Sequence, residues 1–87
     1  MGKILCKKYN MELDAIVHPP LPGPKGEEIL QNFSQKAWND WIQLQTMLIN
    51  EKRLDLSQKD SRKWLNDQMM LFLENGDYEK PSGYVPQ

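Results

Sequence analysis

This chain carries one cysteine and one histidine, and those two scarcities exclude more chemistry than any single residue it contains. A lone thiol, Cys6, closes no internal disulfide, so the fold must rest on its core, and the residue suits a reducing compartment. One histidine, His18, cannot build a two-His-one-carboxylate iron site, and no Glu-x-x-His pair of the di-iron bundles is present. Neither a G-x-S-x-G elbow, a P-loop, a Rossmann glycine pattern nor a Cys/His pair at a known spacing occurs, so the chain reads as not an enzyme. Long apolar runs are missing as well: over residues 1–17 the longest is three residues, which supports neither a secretory signal nor a membrane span and leads to the expectation of a cytoplasmic protein without membrane partners. Gly2 lacks the Ser or Thr expected downstream at a myristoylation site. Charge of one sign is not in surplus either. Eleven basic and twelve acidic residues leave a net charge of −1, and that balance draws the chain to neither nucleic acid nor an anionic surface.

What is present is enough apolar material for one small domain. The 87 residues are 39% hydrophobic and include three tryptophans, near the size at which a single core sustains folding unaided. A monomer is the default for so polar a chain.

In Lys3–Tyr9 the pattern puts Ile4 and Cys6 on one face of a strand and Leu5 and Tyr9 on the other. Ala15-Ile16-Val17 is a second β-prone segment, so a hairpin with Asn10–Asp14 between the strands is expected, a ribbon spanning about residues 3–18. Such a ribbon needs helices to cover it. The run from His18 to Pro24 holds four prolines, which fix φ and remove donors, and it reads as a stiff connector.

Three helices follow. The first is expected over about 24–32, with Pro24 in its first turn, Glu27 and Glu28 near the positive end of the dipole, and Ile29, Leu30 and Phe33 buried. The second is expected over 34–52, with Ser34 as N-cap and Trp38, Trp41, Ile42, Leu48 and Ile49 forming the apolar face. Gln45 lies in line with that face without an apolar reason to do so. Leu54 and Leu56 are expected to plug the core, Ser57 and Asp60 to form a capping box, and a third helix to run over 58–73 with Leu65, Met69 and Phe72 inward. Asn75-Gly76 stops it, and a tail, 77–87, follows that is either mobile or laid along the surface. The class is α+β: a small two-stranded antiparallel ribbon packed on three α-helices in a single domain, 1–87.

The run W-x-x-W-x-x-x-Q-T-x-L-I-N-E, made by Trp38, Trp41, Gln45, Thr46, Leu48, Ile49, Asn50 and Glu51, resembles the signature of the bacterial Fe(II)-trafficking, oxidative-damage-protection proteins, the YggX family. The likeness covers essentially the whole chain, from Cys6 and Pro19-Pro20 through Pro22-Gly23, Gly26, Ile29, Ser34, Ala37, Arg62, Leu65 and Met69 to Gly83-Tyr84-Val85-Pro86. Three departures stand out. Ala15-Ile16-Val17 replaces the family's Gly-Leu-Asp, Pro24 replaces an acid after Pro-Gly, and His18 stands where a basic residue is common.

The resemblance implies a β-β-α-α-α layout. It also implies a protein that handles Fe(II), protects iron-sulfur enzymes from oxidants, and works with those enzymes or with the machinery that assembles or repairs their clusters. Cys6 falls where the family's cysteine is linked with resistance to oxidative damage.

From the residues themselves, Cys6 is either a redox thiol or a soft iron ligand, its pKa depressed by Lys3, Lys7 and Lys8, or a small buried hydrophobe. Iron, if held, is held weakly and labilely by carboxylates, for which Glu27, Glu28 and Asp40 are the candidates. One Cys and one His close no soft coordination shell. Asn50 and Glu51 either lock the helix end to the next connection or form an interaction patch together with Gln45 and Arg62. A second reading of the chain is a metal-free protein-interaction or DNA-associated adaptor. In that reading Lys59, Arg62 and Lys63 beside Trp64 would form the contact surface.

Overall fold

The computed structural model describes residues 2–81 together with Gly83 and Tyr84. Two strands precede three helices: β1 (Lys3–Cys6), β2 (Met11–Asp14), α1 (Gly23–Asn32), α2 (Gln35–Lys52) and α3 (Lys59–Leu73). This is the α+β order expected. The chain divides into two compact units, Met1–Asn39 and Asp40–Gln87.

In the first unit β1 and β2 pair antiparallel with Lys3 opposite Asp14 and Cys6 opposite Met11. The second strand therefore lies earlier than Ala15–Val17, because a four-residue turn, Lys7–Asn10, already reverses the chain. Asn10 closes that turn in the left-handed region at φ 54°, a conformation asparagine adopts more readily than most residues, and its N–H reaches the Cys6 carbonyl at 2.7 Å. Of the segment expected as the second strand, Ala15 forms only an isolated bridge to Ser34 and Ile16 is buried, while Val17 is exposed. The alternation within β1 is as expected: Cys6 is buried, Ile4 half-buried and Leu5 exposed.

α1 starts at Gly23, which has φ 78°, with Pro22 as its cap. Glu27 and Glu28 consequently sit at the fifth and sixth helical positions, beyond the first turn where the dipole acts, and both are exposed. The buried face is Gly26 and Ile29, and Phe33 is buried just past the helix end, whereas Leu30 is only half-buried. A Cβ on Gly26 would collide with the Leu21 carbonyl, so the proline connector passes directly against α1 here. Ser34 is the N-cap of α2: its Oγ accepts the Ala37 N–H at 3.1 Å.

The buried stripe of α2 is Ala37, Trp41, Leu44 and Leu48. At about 100° per residue these four lie within one narrow sector. Trp38, Gln45 and Ile49 fall on its flanks and are half-buried, which accounts for Gln45. Ile42 points roughly 130° from the stripe's centre and is exposed, so it is not part of the apolar face. Leu44 takes its place. Both α2 and α3 end in the same way. Arg53 (φ 51°) follows α2 and Asn75 (φ 61°) follows α3, each in the left-handed region, with Leu54 N–H reaching the Ile49 carbonyl and Gly76 N–H the Leu71 carbonyl.

Between α2 and α3, Leu54 is half-buried and Leu56 is exposed, so Leu56 plugs nothing. Ser57 forms no capping box with Asp60. Its N–H and hydroxyl both go to Asp55 Oδ1, at 3.0 and 2.7 Å, an Asx-type turn formed with a partner only two residues away. These bonds, the hydroxyl's first, lower the Asp55 pKa. In the second unit α3 buries Leu65, Met69, Phe72 and Leu73.

The described part of the tail makes contacts along the second unit. Tyr78 meets the Phe72 ring edge-on at 5.0 Å, Glu79 N–H donates to Gln68 Oε1 at 2.6 Å, and Pro81 is buried. Aromatic area and a proline without a donor to satisfy make such a segment adhere. Ser82 and residues 85–87, which the expectation of mobility also covered, lie outside the described residues.

Candidate functional site

Cys6 ends β1 with its side chain fully buried in the first unit. The turn that follows β1 and the start of α2 wrap hydrogen-bond donors around the sulfur. Ser34 N–H points at Sγ across 3.3 Å, and the Ser34 hydroxyl donates to the same atom while its oxygen caps Ala37. Backbone N–H groups of Tyr9 and Lys8 complete the set. Burial pushes the Cys6 thiol up, yet the Ser34 hydroxyl and then the three backbone donors outweigh it, leaving the thiol below its ordinary pKa. The lysines expected to depress it are not the cause. Lys3 instead pairs with Asp14 at 2.7 Å on the exposed face of the ribbon, and Lys8 lies 5.5 Å from the Tyr9 ring.

Ser34 does more than the cap its sequence pattern announces. Nothing in that local pattern shows that its N–H and O–H meet a sulfur 28 positions away. Asn32, two residues earlier, anchors the same turn: its carbonyl accepts the Lys7 N–H at 2.9 Å. The Cys6 sulfur is thus fully buried, hydrogen-bonded, and below the ordinary thiol pKa.

The candidate iron-binding carboxylates are distributed. Glu27 and Glu28 project from α1, Glu28 with Lys25 at 3.7 Å, and Asp40 is half-buried on α2. Among the described residues no three His, Cys, Asp or Glu side chains come together as a group able to hold a metal ion. His18 is exposed in the proline connector.

Of the polar residues grouped at the end of α2, Asn50 and Glu51 are exposed and Gln45 is half-buried. Arg62 Nη1 donates to the Leu56 carbonyl at 2.9 Å, a bond from α3 to the connection that precedes it. Lys63 pairs with Asp67 at 3.3 Å, so two of the three cations considered for a nucleic-acid stripe are engaged within the chain. No helix among the described residues is long and apolar enough to cross a membrane.

Comparison with known proteins gives this arrangement a family. The family model described as bacterial Fe(2+) trafficking matches residues 1–87. A protein of Hahella chejuensis carrying the name probable Fe(2+)-trafficking protein is 48% identical over 84 residues, covering 97% of this chain and 94% of the relative. One of the same name from Chromohalobacter salexigens is 52% identical over 83 residues, with 95% and 92% covered. Another, from Stutzerimonas stutzeri, is 51% identical over 81 residues, with 93% and 90% covered. Identity at this level along nearly the full length of both partners leaves one conclusion: the chain belongs to the bacterial Fe(2+)-trafficking family.

Proposed function

We propose that this protein carries Fe(2+) as a labile cargo, without catalysing a reaction on it, and that it serves cytoplasmic iron-sulfur enzymes by protecting them from oxidants and supporting the synthesis or repair of their clusters. The observation that carries the iron reading is the match of the whole chain to the Fe(2+)-trafficking family. The donor chemistry agrees with a cargo role. Ferrous iron accepts hard oxygen ligands and exchanges them quickly, and exposed carboxylates such as Glu27 and Glu28 offer one or two oxygens each while water supplies the rest. A carrier that must release its metal gains nothing from a closed cage.

Cys6 supplies the oxidant-responsive function. Its sulfur is the only thiol, and the donors from Ser34, Tyr9 and Lys8 favour the thiolate, the form that oxidants attack. Because the atom is fully buried, its oxidation depends on local opening, which slows adventitious damage.

Anaerobic titration of the full chain with Fe(2+), followed by paramagnetic broadening of amide signals, tests the cargo reading. Broadening should centre on Glu27, Glu28 or Asp40, survive Cys6→Ser, and vanish with chelator while the protein stays folded. Sub-micromolar binding abolished by Cys6→Ser would replace this reading with a thiolate site. The same variant should lose oxidant protection of an iron-sulfur enzyme in an inactivation assay. Full protection by Cys6→Ser removes the thiol from the account.

A further inference from the structure

Within the second unit the end of α2, the first turns of α3 and the C-terminal segment border an open cavity of about 350 Å³ lined by Lys52, Leu54, Asp60, Ser61, Trp64 and Glu79. Neither the buried thiol nor the candidate iron-binding carboxylates belong to it. Trp64 is half-buried and lines the cavity. The protein already shows what such a place accepts: the Lys52 ammonium rests 5.6 Å from the centre of the Trp64 ring and 3.6 Å from the Glu79 carboxylate. A side-chain cation thus lies between an aromatic face and an anion. The Asp60 carboxylate, on the same wall, has no hydrogen-bond or ion-pair partner among the described residues. Two carboxylates against one ammonium leave the cavity with negative charge to spare.

We propose that this cavity is a docking site for an arginine side chain presented by a partner protein. A planar guanidinium stacks on an indole and forks onto a carboxylate, which uses Trp64 and the unpartnered Asp60 together. Lys52 then acts as a placeholder. Its pair with Glu79 is solvent-accessible, 36% and 46% exposed at the two side chains, and pairs of that kind are easily displaced. An anion is disfavoured by Asp60 and Glu79. A metal ion would find an indole and an ammonium where ligands are needed. The two carboxylates select a cation, and the indole selects a flat one.

The test is titration of the full chain with acetyl-Gly-Arg-Gly-amide, monitored by the Trp64 indole N–H and the backbone N–H signals of Asp60 and Ser61. Its neutral isostere with citrulline, and inorganic phosphate, serve as comparison probes. The arginine peptide should shift these signals saturably, with a dissociation constant of roughly millimolar order for so small a probe, and the citrulline peptide should not. Asp60→Asn should weaken binding about fivefold, the scale of losing one charge-assisted pair at a partly exposed site. Lys52→Gln should strengthen it by about two- to threefold by vacating the ring and Glu79, whereas Lys59→Gln, the same change in net charge outside the cavity, should alter it by less than about twofold. Binding is compared at a temperature where both forms are fully folded, so that the loss of the Asp60 charge from the first turn of α3 does not enter the affinity. Equal response to citrulline, response to phosphate alone, a silent Trp64 indole, or weaker binding in Lys52→Gln would each overturn the proposal.

Discussion

The surroundings of Cys6 and the surroundings of Trp41 show two ways in which one short chain secures a buried side chain. Around Cys6 the buried atom is polarisable and hydrogen-bonded, and the elements near it are joined through backbone groups: Lys7 N–H to the Asn32 carbonyl, Ala15 bridged to Ser34, Ser34 N–H to the sulfur. Around Trp41 the buried material is apolar area, with Phe72 at 6.0 Å and Leu44, Leu48, Leu65 and Met69 all buried in the same unit. Hydrogen bonds contribute little net free energy each but are costly to leave unmade, whereas apolar burial scales with area. The first region is thus specific about geometry and the second about volume. Chemistry that depends on a pKa belongs in the first.

Substitutions separate the two regimes, and the largest effect is expected where area dominates. Trp41→Ala should cost about 3–5 kcal/mol and Leu48→Ala about 2–5 kcal/mol, a large part of the stability of a domain this small. Denaturant unfolding measures both, and a loss under about 1 kcal/mol for either would mean that α2 does not rely on this face.

Gly26→Ala applies the complementary stress in the first unit. The added methyl meets the Leu21 backbone, which cannot rotate away, so the connector must shift and a cost of about 1–3 kcal/mol is expected despite alanine's better helix propensity. Neutral or improved stability in thermal unfolding would show that the connector yields freely.

Ser34→Ala should cost about 1–2 kcal/mol through the lost cap and should also raise the Cys6 pKa, because the Ser34 hydroxyl is the strongest of the donors lowering it. The sign of the pH dependence follows. A thiol depressed in the folded state adds stability that is fully present above the unfolded value of about 8.5 and is lost as pH falls through the folded pKa. Stability of the unsubstituted chain relative to Cys6→Ser should therefore grow as pH rises toward the unfolded value. In the Ser34→Ala background that growth should shrink. Ultraviolet absorbance of the thiolate and pH-dependent unfolding report the two halves independently, and a pKa unmoved by Ser34→Ala would assign the depression to the backbone donors alone.

Removing the Lys3–Asp14 pair, by Lys3→Gln or by Asp14→Asn, is expected to do least. This 2.7 Å pair is exposed on the ribbon, where solvent and salt screen it, and the midpoint of unfolding should move within measurement error. A clear loss would show that the ribbon's register depends on this pair.

Much of this architecture is legible in the sequence, and the parts that are not share a cause. The stripe of α2 follows from helical periodicity, and the one exchange within it, Leu44 for Ile42, is a matter of phase within a correct helix. Ser34 as cap and Asn75-Gly76 as terminator are readable because both are decided by backbone groups within a few residues. The motif from Trp38 to Glu51 points to the family that the full-length match establishes. The turn over Lys7–Asn10 that places β2 at Met11–Asp14 is also local, closed by Asn10 in the left-handed region, whereas tertiary structure alone decides how the described tail meets Phe72 and Gln68 and that Ser34 faces Cys6. Short-range propensity cannot encode those outcomes. They depend on groups distant in sequence becoming neighbours, and the energy of each contact exists only once the others have been made.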